Sequence, residues 1–353
     1  MPTNSGTLLI RLVPKCLWTV AFLWLFLPFV SLSAETSESI VSVEPLRLVV
    51  ISDLNGSYGT IGHASTVHDA VRRIVELEPD VVISTGDMIA GQFRDPSQRN
   101  KLDALWQAFH QTVTRPLAEA GIPLGITPGN HDASAYPGFE DERALYAREW
   151  RDRKTGLDFV DAAGYPFNYA FTVKGVLLVS LDVTTTGSLP TDDLDWLQAL
   201  LAEHRDRFSD VIVFSHVPVW PFAEGRDTEA TRDERLHAIL VSAGVGLYLS
   251  GHHHAFYPGV LDGVTYISQA CLGSGARKLL GSEAGRAPKG FTHITLDGDR
   301  VLVSAVSAPA FQSTQDWATL PPQIVSDGVR LQRADLVDVP VFPSDLPQPA
   351  EAR

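Results

Sequence analysis

Short apolar runs alternate along the first part of the chain with stretches whose apolar residues recur at helical spacing. The runs at residues 46–52, 80–84 and 122–127 predict buried strands. Residues 68–78 and 102–120 lie between these runs and have the periodicity of amphipathic helices. This β-α-β-α-β order predicts a layered α/β domain.

Hairpins interrupt the alternation further along the chain. Lys174-Gly175 and Asp297-Gly298-Asp299 are turn sequences, and each has an apolar run on both sides. The mixture of parallel-type units with hairpins predicts two mixed β-sheets packed together, with helices outside. The strands predicted here cover 168–173, 176–181, 211–215, 246–250, 264–268, 291–296 and 301–307, and helices are predicted from residue 191 to 201 and from about 231 to 242.

The N-terminal 34 residues have the layout of a secretory signal peptide. Arg11 and Lys15 precede an apolar run over 16–30, and small residues at 31–34 provide a cleavage site. An uncleaved anchor is the alternative, because the uncharged stretch over 16–34 approaches the ~20 residues that span a bilayer. We therefore expect a periplasmic or secreted protein, with an N-terminally membrane-anchored form as the alternative. Membrane contact is expected only if the segment is uncleaved.

Removal of residues 1–34 leaves Cys271 as the one cysteine, so no intramolecular disulfide is expected. Residues 35–45 are predicted to be a linker and 46–310 the main domain. Residues 311–353 form a Pro-rich C-terminal tail, predicted to be poorly ordered or to lie as a strap on the surface.

The bulk composition allows a large core and restricts the partners. The chain has 353 residues, of which 44% are hydrophobic, and a formal net charge of −14. This acidic balance argues against general nucleic-acid binding, which requires a basic surface along the phosphates. An anionic substrate stays compatible with it, because bound cations reverse the local sign of charge.

Short polar clusters follow the predicted strands. Each cluster alone has an ordinary explanation, such as a turn or a buried histidine. Together, in one order and each directly after a strand, they predict a metal site assembled from several loop tips. Asp182 also follows a strand but is predicted to be structural. The clusters are Asp53-Leu54-Asn55, Gly86-Asp87, Gly129-Asn130-His131-Asp132, His216 and Gly251-His252-His253-His254.

This ordered series resembles the signature of the calcineurin-like metallophosphoesterases, over residues 46–307. Residues 214–218 and 248–252 resemble the branch that contains cyclic-nucleotide phosphodiesterases and purple acid phosphatases. The resemblance implies a four-layer α/β/β/α sandwich of two mixed β-sheets. It also implies a dinuclear metal centre, in which Asp53 and His254 bind one ion and Asp87 bridges to the other. The second ion is held by Asn130, His216 and His252.

The chemistry of the donor atoms narrows the choice of metal ion. Carboxylate, amide and imidazole ligands suit Mn, Fe or Zn ions, and thiolates are absent from the series. Two cations close together need at least one shared anionic ligand to offset their repulsion. The pair would lower the pKa of a bridging water and so provide hydroxide at neutral pH.

The resemblance implies a hydrolase of small phosphate esters, either phosphomonoesters or phosphodiesters, and the predicted signal peptide implies that it is exported. The bridging hydroxide would attack phosphorus, and His131 would protonate the leaving oxygen or hold a phosphate oxygen. Asp132 is interpreted either as a catalytic residue that orients His131 or as a cap of the loop or helix. The alternative is a non-catalytic or mononuclear metal-binding protein that retains the fold.

Asn55 departs from the pattern, because the family usually has histidine at this position. An amide offers only a neutral carbonyl oxygen to a metal. Three outcomes are open at this point: Asn55 binds the first metal directly, it holds a metal-bound water, or that metal binds weakly. Mn²⁺ is favoured there over softer ions.

Overall fold

The computed structural model describes residues 44–153, 155–273 and 275–346. The predicted signal peptide, residues 35–43 of the predicted linker and residues 347–353 of the predicted tail lie outside the described residues. Within the described ranges, every helix is too short or too polar to cross a bilayer.

The strands follow the apolar runs closely. Most predicted strands are found within two residues of their expected bounds, because each combines β-branched residues with a turn sequence at its end. The strands are β1 (Leu46–Ile51), β2 (Val81–Ser84), β3 (Leu124–Ile126), β4 (Asp158–Gly164), β5 (Asn168–Val173), β6 (Val176–Ser180), β7 (Asp210–Phe214), β8 (Leu247–Ser250), β9 (Tyr257–Leu261), β10 (Val264–Ser268), β11 (Gly290–Asp297), β12 (Arg300–Ser307), β13 (Ser313–Thr314), β14 (Gln323–Ser326), β15 (Val329–Arg333) and β16 (Val341–Pro343).

The helices connect the strands. They are α1 (Ser65–Leu77), α2 (Leu102–Phe109), α3 (Arg115–Glu119), α4 (Asn130–Ala133), α5 (Glu140–Arg151), α6 (Thr191–His204) and α7 (Glu234–Ser242).

Two mixed sheets form the fold, and each contains a run of neighbouring parallel strands. The first has the order β13-β12-β11-β1-β2-β3, with β16 beside β12, and β1, β2 and β3 are parallel. The second has the order β14-β15-β9-β10-β8-β7-β6-β5-β4, with β6, β7, β8 and β10 parallel. Parallel strands end at the same edge of a sheet, so the loops that follow them gather there.

The alternation of side chains along β1 shows how the layers pack. Leu48 and Val50 belong to the same core as Leu178 of β6, which lies between the sheets. Val49 and Ile51 point the other way and pack with residues of α1, α2 and α5. The predicted α/β fold of two mixed sheets with helices is confirmed.

A π-helical turn interrupts the single helix predicted over 102–120. Residues His110–Thr114 separate α2 from α3. The buried residues Leu105, Phe109, Val113 and Leu117 are spaced four apart. That spacing exceeds the ~3.6 residues of an α-helical turn, and a wider π turn keeps all four on the core side.

Residues 311–346 contain short paired strands and so differ from a poorly ordered tail. β14 and β15 form a hairpin that extends the second sheet beside β9, and β16 pairs with β12. Trp317, Ile324 and Leu331 are buried in the inter-sheet core. These strands have only two to five residues each, and segments that short have a weak sequence signal, which is why composition alone suggested a tail. The boundary expected at 310 therefore falls between the paired strands β12 and β13.

We expect His293→Leu to stabilise the fold, increasingly so at acid pH. His293 on β11 is 1% exposed, and neither ring nitrogen has a hydrogen-bond partner in the part of the chain that the structure describes. Burial lowers the pKa of His293 to about 4, from 6.5. Since the unfolded chain takes up this proton first, wild-type stability falls as the pH drops through 6.5 towards 4.

In urea titrations the variant should be about 1 kcal/mol more stable at pH 7.5, because an unsatisfied buried polar group is removed. The advantage should grow by about 2 kcal/mol at pH 5. His68→Leu on the exposed face of α1 is the control. A difference in the free energy of unfolding between His293→Leu and wild type that stays constant with pH would contradict this account.

Candidate metal centre

The polar clusters predicted from sequence meet at the carboxyl ends of the central strands. Asp53 and Asp87 follow β1 and β2 of the first sheet, and His216 follows β7 of the second. All three are buried, and each offers one ligand atom within 4.8 Å of the others. Asn130 begins α4 after β3, and the His252-His253-His254 segment follows β8. Both sheets therefore contribute to one site.

Unusual backbone conformations concentrate at this site. Asp53, Asp87, His252 and His254 have φ values of 51, 55, 66 and 54°, in the left-handed region that non-glycine residues rarely adopt. Such conformations cost ~1–3 kcal/mol each and persist where surrounding contacts hold them. Among those contacts, Asp53 N–H donates to the Gly86 carbonyl over 3.1 Å. The sequence folds these loops against local preference in order to aim the side chains inward.

The glycines of the clusters allow the loops to approach each other. A Cβ on Gly129 would collide with the backbone nitrogen and Oδ1 of Asp87. A Cβ on Gly86, whose φ is +94°, would lie 2.6 Å from the Gly129 nitrogen. These two residues are glycine because the loops after β2 and β3 are in backbone contact.

His216 faces oxygen atoms of two other candidate ligands. Its Nδ1 lies 2.9 Å from the Thr85 carbonyl, which only accepts, so Nδ1 donates a hydrogen bond to it. Its Nε2 lies 2.9 Å from Asn130 Oδ1 and 3.4 Å from Asp87 Oδ1. One imidazole nitrogen and two oxygens thus converge, and these are atoms that ligate a cation when the other ring nitrogen is held by a backbone carbonyl.

Asp53 and His254 form a second such group. His254 Nδ1 faces the Gly275 carbonyl at 3.1 Å, and its Nε2 lies 3.0 Å from Asp53 Oδ1. Burial opposes charge on both groups. Their mutual attraction nevertheless holds the pKa of Asp53 below its ordinary value and raises the pKa of His254 well above 6.5. A positive charge is thus favoured beside the Asp53 carboxylate.

Asn55 lines the cavity with His254, and its side-chain oxygen is unsatisfied. The side chain is 4% exposed, and Oδ1 is buried without a hydrogen-bond partner among the described residues. An orphaned buried carbonyl oxygen costs ~1–3 kcal/mol unless something binds it. This donor set of carboxylates, amide oxygens and imidazoles fits divalent cations.

His252 is neutral and contacts a carboxylate that the motifs did not reveal. Burial, followed by the nearby His216, keeps the pKa of His252 well below 6.5. Its Nε2 lies 3.0 Å from Glu229 Oε2, and Glu229 also forms an ion pair with Arg226. A neutral imidazole is the form that can ligate a metal.

A family model described as calcineurin-like phosphoesterase matches residues 46–256, which is more than half of the chain. The chain belongs to the calcineurin-like phosphoesterase family. This confirms the resemblance stated from the motifs.

Two curated phosphatases are similar to this chain in sequence. Purple acid phosphatase 22 of Arabidopsis thaliana is 28% identical over 218 residues, covering 61% of this chain and 45% of that protein. Serine/threonine-protein phosphatase CPPED1 of Danio rerio is 27% identical over 218 residues, covering 58% of this chain and 64% of that protein. The matched region thus spans less than two thirds of each relative.

The fold of this phosphoesterase is also found in a solved structure, a dimetal phosphatase from Danio rerio. The TM-score is 0.52 at 18% identity, and the likeness covers 75% of this chain and 96% of the other. At this identity the comparison shows the fold.

His131 of the phosphoesterase lines the cavity beside the candidate ligands. Its Nδ1 lies 3.1 Å from the Gly91 carbonyl and so carries a proton, and its Nε2 is 3.9 Å from Asp87 Oδ2. The Tyr58 ring lies against it, with 4.7 Å between ring centroids. The imidazole is therefore held by one nitrogen and has the other available to a ligand in the cavity.

Asp132 makes the contacts of a cap and has none with the imidazole of His131. It is fully buried, and its carboxyl accepts N–H bonds from Met88, Ile89 and Gly129 at 2.8–2.9 Å. Burial, and then the charge of Asp87, raise the pKa of Asp132 to about 7. Asp132 does not line the cavity, and of its two interpretations these contacts are those of the cap, which holds the loop after Asp87.

Gln92 and Glu229 escaped the sequence analysis because neither belongs to a strand-end motif. Gln92 Oε1 accepts from Asn130 Nδ2 at 3.1 Å, which turns the Asn130 oxygen towards His216. Gln92 has a φ of 66°. A non-glycine residue in that conformation beside a site points to a positioning role. No pattern in the linear sequence would have found it.

Asp182 and His253 both have contacts typical of structural residues. Asp182 is partly buried and forms an ion pair with Arg143, as expected of a structural residue. Both ring nitrogens of His253 are used in hydrogen bonds. Nδ1 accepts from Phe222 N–H and Nε2 donates to the Glu229 carbonyl, both at 2.9 Å. His253 thereby holds the loop that carries Glu229 against the site.

The cavity over these residues is large enough for a small organic ester. Its volume is about 680 Å³. It is lined by candidate ligands and His131, together with Tyr58, Arg226 and Arg277 on the rim. Polar groups that converge in a cleft are typical of a ligand site.

Proposed function

We propose that this protein is a metal-dependent hydrolase of small phosphate esters that acts through a pair of divalent ions. The observation that carries this function is the convergence of Asp53, Asp87 and His216 from three loops of two sheets. The approach of His216 Nε2 to the side-chain oxygens of Asn130 and Asp87 supports a cation there. The family membership supports phosphoester chemistry.

The residues divide into two groups around a shared carboxylate. One ion would be held by Asp53, Asn55 and His254, the other by Asn130, His216 and His252, and both by Asp87. The pair would supply a nucleophile derived from water and offset negative charge on the phosphoryl oxygens. The orphaned Oδ1 supports direct binding by Asn55 among the three outcomes. Mn, Fe or Zn ions suit the donors.

His131 would manage the proton of the leaving group. Because Nδ1–H is held by the Gly91 carbonyl, Nε2 is the nitrogen that can give a proton to the leaving oxygen. The Tyr58 ring and the carbonyl together limit rotation of the imidazole. In the same position Nε2 could donate to a phosphoryl oxygen, the other role implied by the family.

We also propose that the protein acts outside the cytoplasm. The basic start at Arg11 and Lys15 and the apolar run over 16–30 support export. The N-terminally anchored form is the alternative, and the mass of the N-terminal peptide of the native protein separates the two.

Removal and return of metal tests the hydrolase. Protein stripped with a chelator should not hydrolyse an aryl phosphate, and activity should return with Mn²⁺, together with about two ions per chain. Metal analysis on the same sample is the control. Inactivity with every divalent ion, and no bound metal after supplementation, would support the non-catalytic alternative, and one ion per chain would support a mononuclear site.

A further inference from the structure

Arg277 separates the site cavity from a smaller one. The smaller cavity has a volume of about 380 Å³ and shares Gly275 and Arg277 with the site cavity. The side chain of Arg277 is partly buried. A ligand at the metal centre that extends past this guanidinium would reach the second cavity.

The guanidinium of Arg277 lacks a partner within the described ranges. Its Nε is buried without a hydrogen-bond acceptor, and no described carboxylate lies within ion-pair distance. Two of the neighbouring cations are paired within the described ranges: Arg226 with Glu229, and Lys278 with Glu224 at 2.9 Å. A partly buried unpaired charge is costly unless an anion binds it.

The backbone holds Arg277 at a defined distance from the candidate ligands. Its N–H donates to the carbonyl of His254 over 3.2 Å, and its carbonyl accepts from Ala287 N–H over 2.7 Å. Glu224 N–H donates to the Lys278 carbonyl over 2.9 Å and ties the segment to the neighbouring loop. Arg277 is thus anchored to the metal-ligand loop itself.

The surroundings of the smaller cavity are basic in an otherwise acidic protein. Arg286 and Lys278 line it with Arg277, and Glu224 is the one acidic residue of the lining. The whole chain has a net charge of −14. A local excess of cations in an acidic chain indicates a site for an anion.

We propose that Arg277 binds a second anionic group, a phosphate or a carboxylate, on the alcohol part of the substrate. The preferred substrates are then phosphate esters that carry two anionic groups. The planar guanidinium matches both oxyanions in a bidentate manner. This inference rests on the proposed phosphoesterase function and concerns a group other than the transferred phosphoryl.

Three esters of equal carbon length test the inference: propyl phosphate, 3-(phosphonooxy)propanoate and propane-1,3-diol bisphosphate. The wild type should have a kcat/KM roughly tenfold or more higher for one or both of the esters with a second anionic group than for propyl phosphate. Arg277→Gln should bring that ratio towards one. Arg277→Lys should retain part of the ratio. Lysine keeps the positive charge but lacks the planar guanidinium that binds an oxyanion through two parallel hydrogen bonds.

Arg72→Gln is the matched control, since it removes the same charge from an exposed position on α1 and should keep the wild-type ratio. The unfolding midpoint of each variant shows whether it is folded. A wild-type ratio near one, or an unchanged ratio in Arg277→Gln, would overturn the inference. The carboxylate and bisphosphate arms distinguish the two kinds of anion.

Calorimetry separates this inference from the function on which it rests. Propane-1,3-bisphosphonate should bind the metal-loaded protein more tightly than propylphosphonate, and Arg277→Gln should remove the difference. If the wild type hydrolyses none of the three esters but shows this binding preference, the hydrolase proposal fails and the anion site stands. Equal affinity of the two phosphonates rejects the anion site.

Discussion

Asp87→Asn is expected to lower kcat/KM for an aryl phosphate by about a thousandfold or more, since the shared charge of a metal pair provides several kcal/mol. Asp87 is buried, and its Oδ1 lies 3.4 Å from His216 Nε2. An amide of the same shape is neutral, so it offsets less of the repulsion between two cations. It also has one coordinating oxygen where the carboxylate has two.

The variant should also bind less metal, which element analysis of the purified protein measures. The fold should survive, because the amide oxygen can still accept the N–H of His131 that Asp87 Oδ1 accepts at 2.9 Å. Asp103→Asn, whose side chain is 81% exposed on α2, is the matched control and should behave as wild type. Wild-type activity with a full complement of metal in Asp87→Asn would contradict the shared-ligand assignment.

Asp132→Ala is expected to destabilise the fold by about 4 kcal/mol, because three buried N–H groups lose their acceptor at ~1–3 kcal/mol each. The carboxyl joins the loop after Asp87 to the start of α4 through Met88, Ile89 and Gly129. Denaturant titration measures the loss. Asp132→Asn should lose less, because its amide oxygen still accepts.

Asp87 begins the same loop. In the Asp132 variants, activity should therefore fall to the extent that the Asp87 side chain is displaced. The distinguishing measurement is the metal dependence: excess Mn²⁺ should restore part of the activity of Asp132→Asn, because the ligands themselves remain. Asp141→Ala on α5, with 80% of the side chain exposed, is the control and should change stability little. An Asp132→Ala protein as stable as wild type would rule out the capping role.

The elements that the sequence predicted correctly have local causes. β1, β2, β7 and β8 are apolar runs that end in a polar cluster, and the hairpins of β5–β6 and β11–β12 have turn residues at their tips. α5 was missed because charged residues dominate it, although Leu145, Tyr146 and Trp150 are buried. β13 to β16 were missed because these strands have only two to five residues each and acquire their stability from the neighbours they pair with.

The sequence by itself determined which residue types follow which strands, and hence that two carboxylates, two amides and three imidazoles gather at one edge. Parallel strands in a sheet bring their carboxyl ends together whatever the loops do. Spacing along the chain was sufficient for that, and for the family.

Only the tertiary structure decided what each side chain does. Gln92 orients Asn130, Glu229 contacts His252, Asp132 caps a loop, and Arg277 Nε has no hydrogen-bond partner among the described residues. These relationships join residues far apart in sequence, and the direction of a hydrogen bond depends on backbone angles that no spacing specifies. Local patterns place a residue at a loop tip, whereas packing of the two sheets determines which atoms it meets.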